Sequence, residues 1–188
     1  MPARSSSAPP VSSPVVLIGP MAVGKSAVGQ HLAHRLGHGF VDTDAAIVAQ
    51  HGTITAIFAC RGEHAFREIE ARAVAAAIEP LVASQVISLG GGAVLDSGTQ
   101  QLLEKCVVVY LEADESTVRE RIARSSNRPL LAGDAVSRWN EMFAARRPVY
   151  ERLADVVLDV REGTAAHLAA HLEDVLRGNA AAQKEVEE

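Results

Sequence analysis

The sequence predicts a three-layer α/β/α fold with a central, five-stranded parallel sheet. The alternation of two kinds of segment leads to this prediction. Short runs of aliphatic and β-branched residues alternate along the chain with longer segments whose apolar residues recur at helical spacing. Such alternation indicates parallel strands joined by right-handed crossovers, with helices on both faces of the sheet. The 188 residues are enough for one domain with a sizeable core.

The strands and helices are expected to begin at residue 15. Strands are predicted where aliphatic runs are short, at 15–18, 39–41, 86–89, 107–111 and 156–160. Helices are predicted between them: one ending before Gly37, one at 45–50, a short and a long helix separated by Gly62, and others at 96–105, 114–123, 135–146 and 164–176.

The two ends of the chain are expected to lie outside the domain, which we predict to span residues 15–177. Residues 1–14 are rich in serine and proline and offer few apolar groups to offset the entropy of ordering, so we expect a disordered tail. Residues 178–188 read as a polar C-terminal tail.

Composition excludes several classes of function. With 23 acidic and 18 basic residues the net charge is −5, and aromatic residues make up 4% of the chain, so no nucleic-acid partner is expected. No apolar run approaches the ~20 residues that span a bilayer, and no secretory signal is evident. Cys60 and Cys106 form no disulfide or metal pattern, which favours a reducing compartment. We therefore expect a cytoplasmic protein without a membrane partner.

The segment GPMAVGKS, residues 19–26, matches the phosphate-binding pattern GxxxxGK[ST] between a predicted strand and a predicted helix. In this pattern backbone N–H groups and the helix dipole bind phosphates. Lys25 would reach the β- and γ-phosphates, and the Ser26 hydroxyl would bind Mg²⁺. A chance glycine turn is the alternative, but all four fixed positions match. The loop predicts phosphate binding without naming the reaction.

Two further segments follow predicted strand ends. Asp42 and Asp44 come after the second strand, and Gly90, Gly91 and Gly92 come after the third. Ligands in parallel sheets bind at the carboxyl ends of strands, so these segments should share one crevice with residues 19–26. Three consecutive glycines indicate that another group approaches the backbone closely, although a flexible turn is the alternative.

Six motifs occur in order along the chain: GPMAVGKS at 19–26, DTD at 42–44, FACRGEHAFREIE at 58–70, GGG at 90–92, RPLL at 128–131 and RRPVY at 146–150. In these motifs the chain resembles the shikimate kinases, a family within the nucleoside-monophosphate-kinase-like P-loop group. The resemblance covers residues 15 to about 176. It implies a P-loop NTPase type of fold, with a substrate-binding region at about 42–70 and a mobile lid at about 125–134.

The resemblance implies a phosphotransferase that uses ATP and Mg²⁺ to phosphorylate the 3-hydroxyl of shikimate in aromatic amino acid biosynthesis. Lys25, Asp44 and Arg128 would be catalytic, with Arg128 closing over ATP from the lid. Ser26 and Asp42 would hold the metal. The implied ATP-binding residues are Gly19, Pro20, Met21, Ala22, Val23, Gly24, Lys25, Ser26, Ala27, Arg121 and Arg128.

The resemblance also implies an acceptor site. Asp44 would orient the hydroxyl and accept its proton as a secondary role. Arg67 and Arg146 would bind the carboxylate, for which the planar guanidinium is well suited. The backbone of Gly90, Gly91 and Gly92 would contact the substrate.

Three assignments near the acceptor site leave alternatives open. Arg146 fits the family pattern better than Arg147, which would be a surface charge. Glu70 would hold Arg67 in place, with a plain surface pair as the alternative. Phe58 and Phe66 would line the substrate pocket, or else belong to the core.

Two residues depart from the pattern of many relatives: Ala22 stands at a glycine position and Ala27 at a threonine position. Loss of the threonine hydroxyl would remove a contact to the α-phosphate that is worth about 1 kcal/mol. The general pattern leaves position 22 free, so we expect a backbone angle that a Cβ tolerates there.

Two other functions remain open: a related small-molecule kinase acting on gluconate or a nucleoside monophosphate, and a regulator that binds ATP without transferring phosphate. A monomer is expected, since the family is usually monomeric and the sequence has no coiled-coil repeat.

Overall fold

The computed structural model describes residues 13–79, 84–123 and 135–187, with the backbone alone described at 120–123 and 179–187. Five parallel strands form one sheet: β1 (Val15–Ile18), β2 (Gly39–Asp42), β3 (Gln85–Ser88), β4 (Val107–Glu112) and β5 (Val156–Asp159). Their order across the sheet is β2-β3-β1-β4-β5, and every neighbouring pair is parallel. The predicted fold class is confirmed.

Helices connect the strands and cover both faces of the sheet. They are α1 (Lys25–Leu36), α2 (Thr43–His51), α3 (Ile54–Ile78), a short 3₁₀ turn (Ala93–Leu95), α4 (Ser97–Leu103), α5 (Glu115–Ala123), α6 (Ala135–Leu153) and α7 (Ala165–Glu187). None of the helices in the described ranges is long and apolar enough to cross a membrane.

Alternate residues of the central strand β1 point into two separate cores. Leu17 packs with α1 and α7 residues such as Leu32 and Leu172 on one face. Ile18 packs with Ile78 of α3 and with α6 residues on the other. This period of two is expected for a sheet buried on both faces, and it places the carboxyl ends of the strands along one edge.

A third, smaller core lies between α2 and α3, where Ile47, Ile57, Phe66 and Ile69 pack together. The predicted glycine turn in this region is confirmed: Gly62 interrupts α3 with φ 79° and ψ 173°. These angles are open to glycine and strained for other residues. The turn redirects the helix so that its second part begins beside the site described below.

The helix α6 extends further than the sequence indicates. We expected it to end near Arg146 because of Pro148, but it continues through this proline to Leu153. Proline removes one helical hydrogen bond. The residues beyond it bury Tyr150 and Leu153 against the sheet, and this packing outweighs the local preference.

The helix α7 likewise extends to Glu187 instead of ending at Leu176. Residues 180–187 are alanine, glutamine, lysine, glutamate and valine, and most of these have good helix propensity. The predicted end of the helix was therefore wrong.

Candidate active site

A cavity of about 590 Å³ lies at the carboxyl edge of the sheet. It is lined by the loop residues Met21 to Ala27, by Asp42 and Asp44, by Arg67 and Glu70, by the three glycines 90–92, and by Arg146. The sequence segments that we expected to share one crevice are thus brought together. Gly19 and Pro20, which the resemblance assigns to ATP binding, are not among the residues that line the cavity.

Lys25 begins α1 and is buried beneath the loop. Its Nζ donates hydrogen bonds to the carbonyl oxygens of Gly19, at 2.9 Å, and Pro20, at 2.7 Å. A Cβ at Gly19 would lie 2.7 Å from the carbonyl oxygen of Leu111, so the loop packs directly on the end of β4. The Lys25 amine is therefore held inside the loop, at a position from which it can bind an anion in the cavity.

Ala22 adopts φ 69°, in the left-handed region. Contrary to our expectation, this is an angle that a Cβ tolerates poorly, since it costs an L-residue about 1–2 kcal/mol. The alanine at this position consequently strains the loop.

The indole of Trp139 contacts the phosphate-binding loop, residues 19–26, from outside the cavity. Its Nε1 donates a hydrogen bond to the carbonyl oxygen of Met21 at 3.1 Å, and its ring packs on Phe143 with the centroids 4.9 Å apart. Sequence reasoning did not assign this role, and the only available signal was that the chain has a single tryptophan.

Asp42 has two partners. Its Oδ1 accepts a hydrogen bond from the Ala45 backbone at 3.1 Å and so caps α2, while its Oδ2 accepts one from Ser26 Oγ at 2.5 Å. Asp42 therefore caps α2 and also contacts Ser26, the residue with which the resemblance implies that it holds the metal.

These two oxygens fit a hard cation such as Mg²⁺, which prefers oxygen ligands and keeps several waters. Within the described parts of the chain, no group of three or more His, Cys, Asp or Glu side chains is arranged to hold a metal ion. A site completed by phosphate oxygens and water requires no such group.

The three glycines 90–92 are tightly enclosed. A Cβ at Gly90 would lie 2.7 Å from Asp44 Oδ1 and from Glu70 Oε1, and one at Gly92 would lie 2.3 Å from Arg67 Nη1. A Cβ at Gly91 would lie 3.2 Å from the Met21 nitrogen. The segment is thus a packed contact, and the groups that approach it are protein groups on both sides of the cavity.

Arg67 is fixed by two carboxylates on its own helix. Its Nη1 donates to Glu70 Oε2 at 2.6 Å, and its Nη2 donates to Glu63 Oε1 at 3.1 Å. Its guanidinium also lies 5.3 Å from the centre of the Phe66 ring. Because Glu70 is 3% exposed, the pair is not a plain surface contact.

Burial is the main cause of the raised pKa of Glu70; Arg67 opposes the shift and Asp44 adds to it. Burial alone would lower the pKa of Arg67, but the attraction and hydrogen bonds of Glu70 and Glu63 raise it overall. Arg67 therefore stays charged beside the cavity.

Arg146 and Arg147 have different environments. Arg146 is 8% exposed and lines the cavity. Arg147 is exposed and pairs with Glu112 at 3.2 Å and Glu151 at 2.7 Å. The structure therefore places Arg146, and not its neighbour, at the site.

Tyr150, one turn beyond Arg146, is a further residue that sequence reasoning missed. Its hydroxyl donates to the carbonyl oxygen of Gly91 at 2.5 Å, and its ring stacks on Tyr110 with centroids 5.4 Å apart. Burial raises its pKa to about 12, against the lowering effect of Arg146, so the hydroxyl remains a donor at neutral pH.

Phe58 and Phe66 both line the cavity, with ring centroids 4.8 Å apart, and Phe66 also belongs to the small core between α2 and α3. The two alternatives for these residues are therefore compatible.

Arg128 and the expected lid lie outside the described residues. Arg121 lies in the last part of α5, at 120–123, where only the backbone is described.

The strain at Ala22 predicts that Ala22→Gly stabilises the protein. Relief of the left-handed angle, partly offset by the greater freedom of glycine in the unfolded chain, should raise the free energy of unfolding by about 0.5–1 kcal/mol. Ala27→Gly is a matched control, because Ala27 lies in α1, where glycine should lower the free energy of unfolding by about 1 kcal/mol. Urea titration measures both, and a destabilising Ala22→Gly would contradict the assigned strain.

Comparison with known proteins identifies the family. A family model described as shikimate kinase matches residues 21–177. The shikimate kinase of Streptomyces coelicolor is 46% identical over 145 residues, which cover 77% of this chain and 84% of that protein. The shikimate kinase of Stenotrophomonas maltophilia is 43% identical over 161 residues, with 84% and 88% covered.

Comparison with solved structures points to the same family. The shikimate kinase from Acinetobacter baumannii in complex with shikimate matches with a TM-score of 0.85 at 31% identity, covering 89% of this chain and 94% of that chain. A gluconokinase from Sinorhizobium meliloti matches with a TM-score of 0.65 at 20% identity, covering 95% and 99%, and this likeness shows the fold alone. On the family match and the identities to curated relatives, the chain belongs to the shikimate kinase family.

Proposed function

We propose that this protein transfers the γ-phosphoryl group of ATP to the 3-hydroxyl of shikimate, giving shikimate 3-phosphate and ADP in aromatic amino acid biosynthesis. The observation that carries the proposal is that a phosphate-binding loop and two arginines suited to a carboxylate line one cavity. Family membership supports the same activity.

In the proposed mechanism the loop at 19–27 binds the phosphates of ATP through its backbone N–H groups. Lys25 leaves the carbonyl oxygens of Gly19 and Pro20 and neutralises the β- and γ-phosphates. Ser26 and Asp42 would hold Mg²⁺, which when bound offsets the negative charge of the phosphates. The lid residue Arg128 would add positive charge to the transferring group, and Arg121 would flank the adenine.

On the acceptor side, Arg67 and Arg146 would bind the carboxylate, and Asp44 would orient the 3-hydroxyl toward the γ-phosphorus. A bond forms between the 3-oxygen and phosphorus as the bond from phosphorus to the β–γ bridging oxygen breaks, and ADP leaves with that electron pair. The hydroxyl proton passes to Asp44. Because phosphoryl transfer depends mainly on positioning and charge, orientation is the larger contribution of Asp44.

We also propose that the kinase domain spans residues 15–177 and acts as a monomer in the cytoplasm. Neither Cys60 nor Cys106 forms a disulfide, which fits a reducing compartment. The residues 178–188 would contribute no part of the site.

A coupled assay that detects ADP tests the function directly, with shikimate, gluconate and AMP offered as acceptors in the presence of ATP and Mg²⁺. Turnover should be at least about 100-fold more efficient with shikimate, because a site built for a particular set of polar groups rejects acceptors that leave them unpaired. Turnover of gluconate or AMP alone would establish one of the other kinases, and ATP binding without turnover would establish a regulator.

The two neighbouring arginines provide a matched pair of variants. Arg146→Ala should raise KM for shikimate about 10- to 100-fold, since it removes charged hydrogen bonds from a buried site. Arg147→Ala removes only exposed ion pairs and should change KM less than about twofold. Steady-state kinetics with saturating ATP measures both, and a larger effect at Arg147 would reverse the assignment.

The raised pKa of Glu70 predicts a pH effect on shikimate binding. As the pH falls through that pKa, which lies above the ordinary value of 4.5, Glu70 gains a proton and Arg67 loses its main partner. KM for shikimate should therefore rise on the acid side, beginning above the range in which an exposed glutamate titrates.

Glu70→Gln should raise KM at neutral pH and abolish this acid-side dependence, because glutamine does not titrate. Glu63→Gln removes the more exposed partner of Arg67 and should keep the dependence. An unchanged pH profile in the Glu70 variant would exclude Glu70 as the titrating group.

A further inference from the structure

The residue between the two aspartates of the site, Thr43, has no place in the mechanism described above. It is the first residue of α2 and is fully buried, while Asp42 and Asp44 on either side line the cavity. Its hydroxyl points to the neighbouring strand: Oγ1 donates a hydrogen bond to the carbonyl oxygen of Ser88 and accepts one from the Gly90 nitrogen, both at 3.3 Å.

The position of this hydroxyl follows from the way in which the sheet ends. β2 and β3 pair up to Asp42 and Ser88, after which the chain turns into α2 and its backbone leaves the sheet. On the opposite side of β3, the Leu89 nitrogen still donates to the Leu17 carbonyl of β1. The hydroxyl of Thr43 takes the place of the missing β2 backbone and extends the pairing to Gly90.

The hydrogen bond from Gly90 to Thr43 matters for the site because Gly90 packs against two of the site's side chains. Its Cα faces Asp44 Oδ1 and Glu70 Oε1, each of which would lie 2.7 Å from an added Cβ. Glu70 in turn holds Arg67 at 2.6 Å. A shift of Gly90 would therefore displace Asp44 and the ion pair between Glu70 and Arg67 together.

We propose that Thr43 is a positioning residue whose hydroxyl holds Gly90 against Asp44 and Glu70 and thereby sets the geometry of the acceptor site. This inference rests on the proposed function for its kinetic readout. Thr43 does not line the cavity and acts through the segment 90–92. A loss of about 1 Å in alignment of reacting groups is enough to slow an enzyme about 100-fold.

Thr43→Val keeps the shape of the side chain and removes the hydroxyl. It leaves the Gly90 N–H and the Ser88 carbonyl, both buried, without this partner. Thr43→Ser keeps the hydroxyl and should restore the contact.

The chain offers a matched control in Thr99, which is 2% exposed and whose Oγ1 has no hydrogen-bond partner among the described residues. Its backbone nitrogen, which donates to Asp96, is unaffected by a change of side chain. Thr99→Val therefore makes the same atomic change in a buried site without breaking a contact.

Steady-state kinetics on the full-length proteins tests the proposal. Thr43→Val should lower kcat/KM for shikimate about 10- to 100-fold with KM for ATP changed less than about threefold, while Thr43→Ser and Thr99→Val stay within about threefold of the parent. Parent-like turnover by Thr43→Val, or an equal loss in Thr99→Val, would overturn it.

Two further measurements keep the test decisive. If Thr43→Val does not fold, Thr43→Cys replaces the hydroxyl with a weaker hydrogen-bonding thiol and should lower kcat/KM severalfold, whereas parent-like kinetics would overturn the proposal. Hydrogen exchange of the Gly90 amide should accelerate at least about tenfold in Thr43→Val but not in Thr99→Val, and equal exchange rates would overturn the proposal. An inactive parent would refute the proposed function, and the amide measurement would still decide the role of Thr43.

Discussion

The close packing of the glycine segment 90–92 is the constraint on which the rest of the site depends. Gly91 lies against the phosphate-binding loop, while Gly90 and Gly92 lie against Asp44, Glu70 and Arg67. An added Cβ would lie 2.7 Å from Asp44 Oδ1 at Gly90, 2.3 Å from Arg67 Nη1 at Gly92 and 3.2 Å from the Met21 nitrogen at Gly91, so the absence of a Cβ lets the two halves of the cavity pack this closely. If ATP and shikimate bind as proposed above, this backbone would set the distance between the phosphates and the acceptor.

Helix α6 supports both halves from one side. Trp139 donates a hydrogen bond to the Met21 carbonyl oxygen, and Tyr150 donates one to the Gly91 carbonyl oxygen. Arg146, between them, lines the cavity. These residues are seven and four positions apart, so they share one face of the helix. The continuation of the helix through Pro148 is essential to this arrangement, because Tyr150 lies beyond the proline. One helix thus contacts the phosphate-binding loop and the glycine segment and also places Arg146 at the cavity.

Much of this architecture could be predicted from the sequence, because strands, loop and aspartates carry local signals. Alternation of strands and helices predicted the sheet, and the rule for strand ends placed residues 19–26, Asp42, Asp44 and the glycines in one crevice. The resemblance to the family was needed to choose Arg146 over Arg147, since nothing local distinguishes two adjacent arginines.

What could not be predicted depends on contacts distant in sequence. The roles of Trp139, Tyr150 and Thr43 arise from hydrogen bonds to backbone atoms 118, 59 and 47 positions away, which no local pattern encodes. The extent of α6 also reflects tertiary packing. The strain at Ala22 depends on a backbone angle that only the assembled loop reveals.

Calorimetric titration of a Gly91→Ala protein with shikimate and with a non-hydrolysable ATP analogue tests most directly whether the glycine segment sets the spacing between the phosphate-binding loop and the acceptor site. The added Cβ would lie 3.2 Å from the Met21 nitrogen and 3.4 Å from the Gly19 carbonyl oxygen, so the two segments must separate. Both dissociation constants should rise about fivefold or more, which corresponds to about 1 kcal/mol each. Gly178→Ala, where an added Cβ meets nothing within 4 Å, should leave both unchanged. A Gly91→Ala protein that weakens binding of only one ligand, or of neither, would contradict the account.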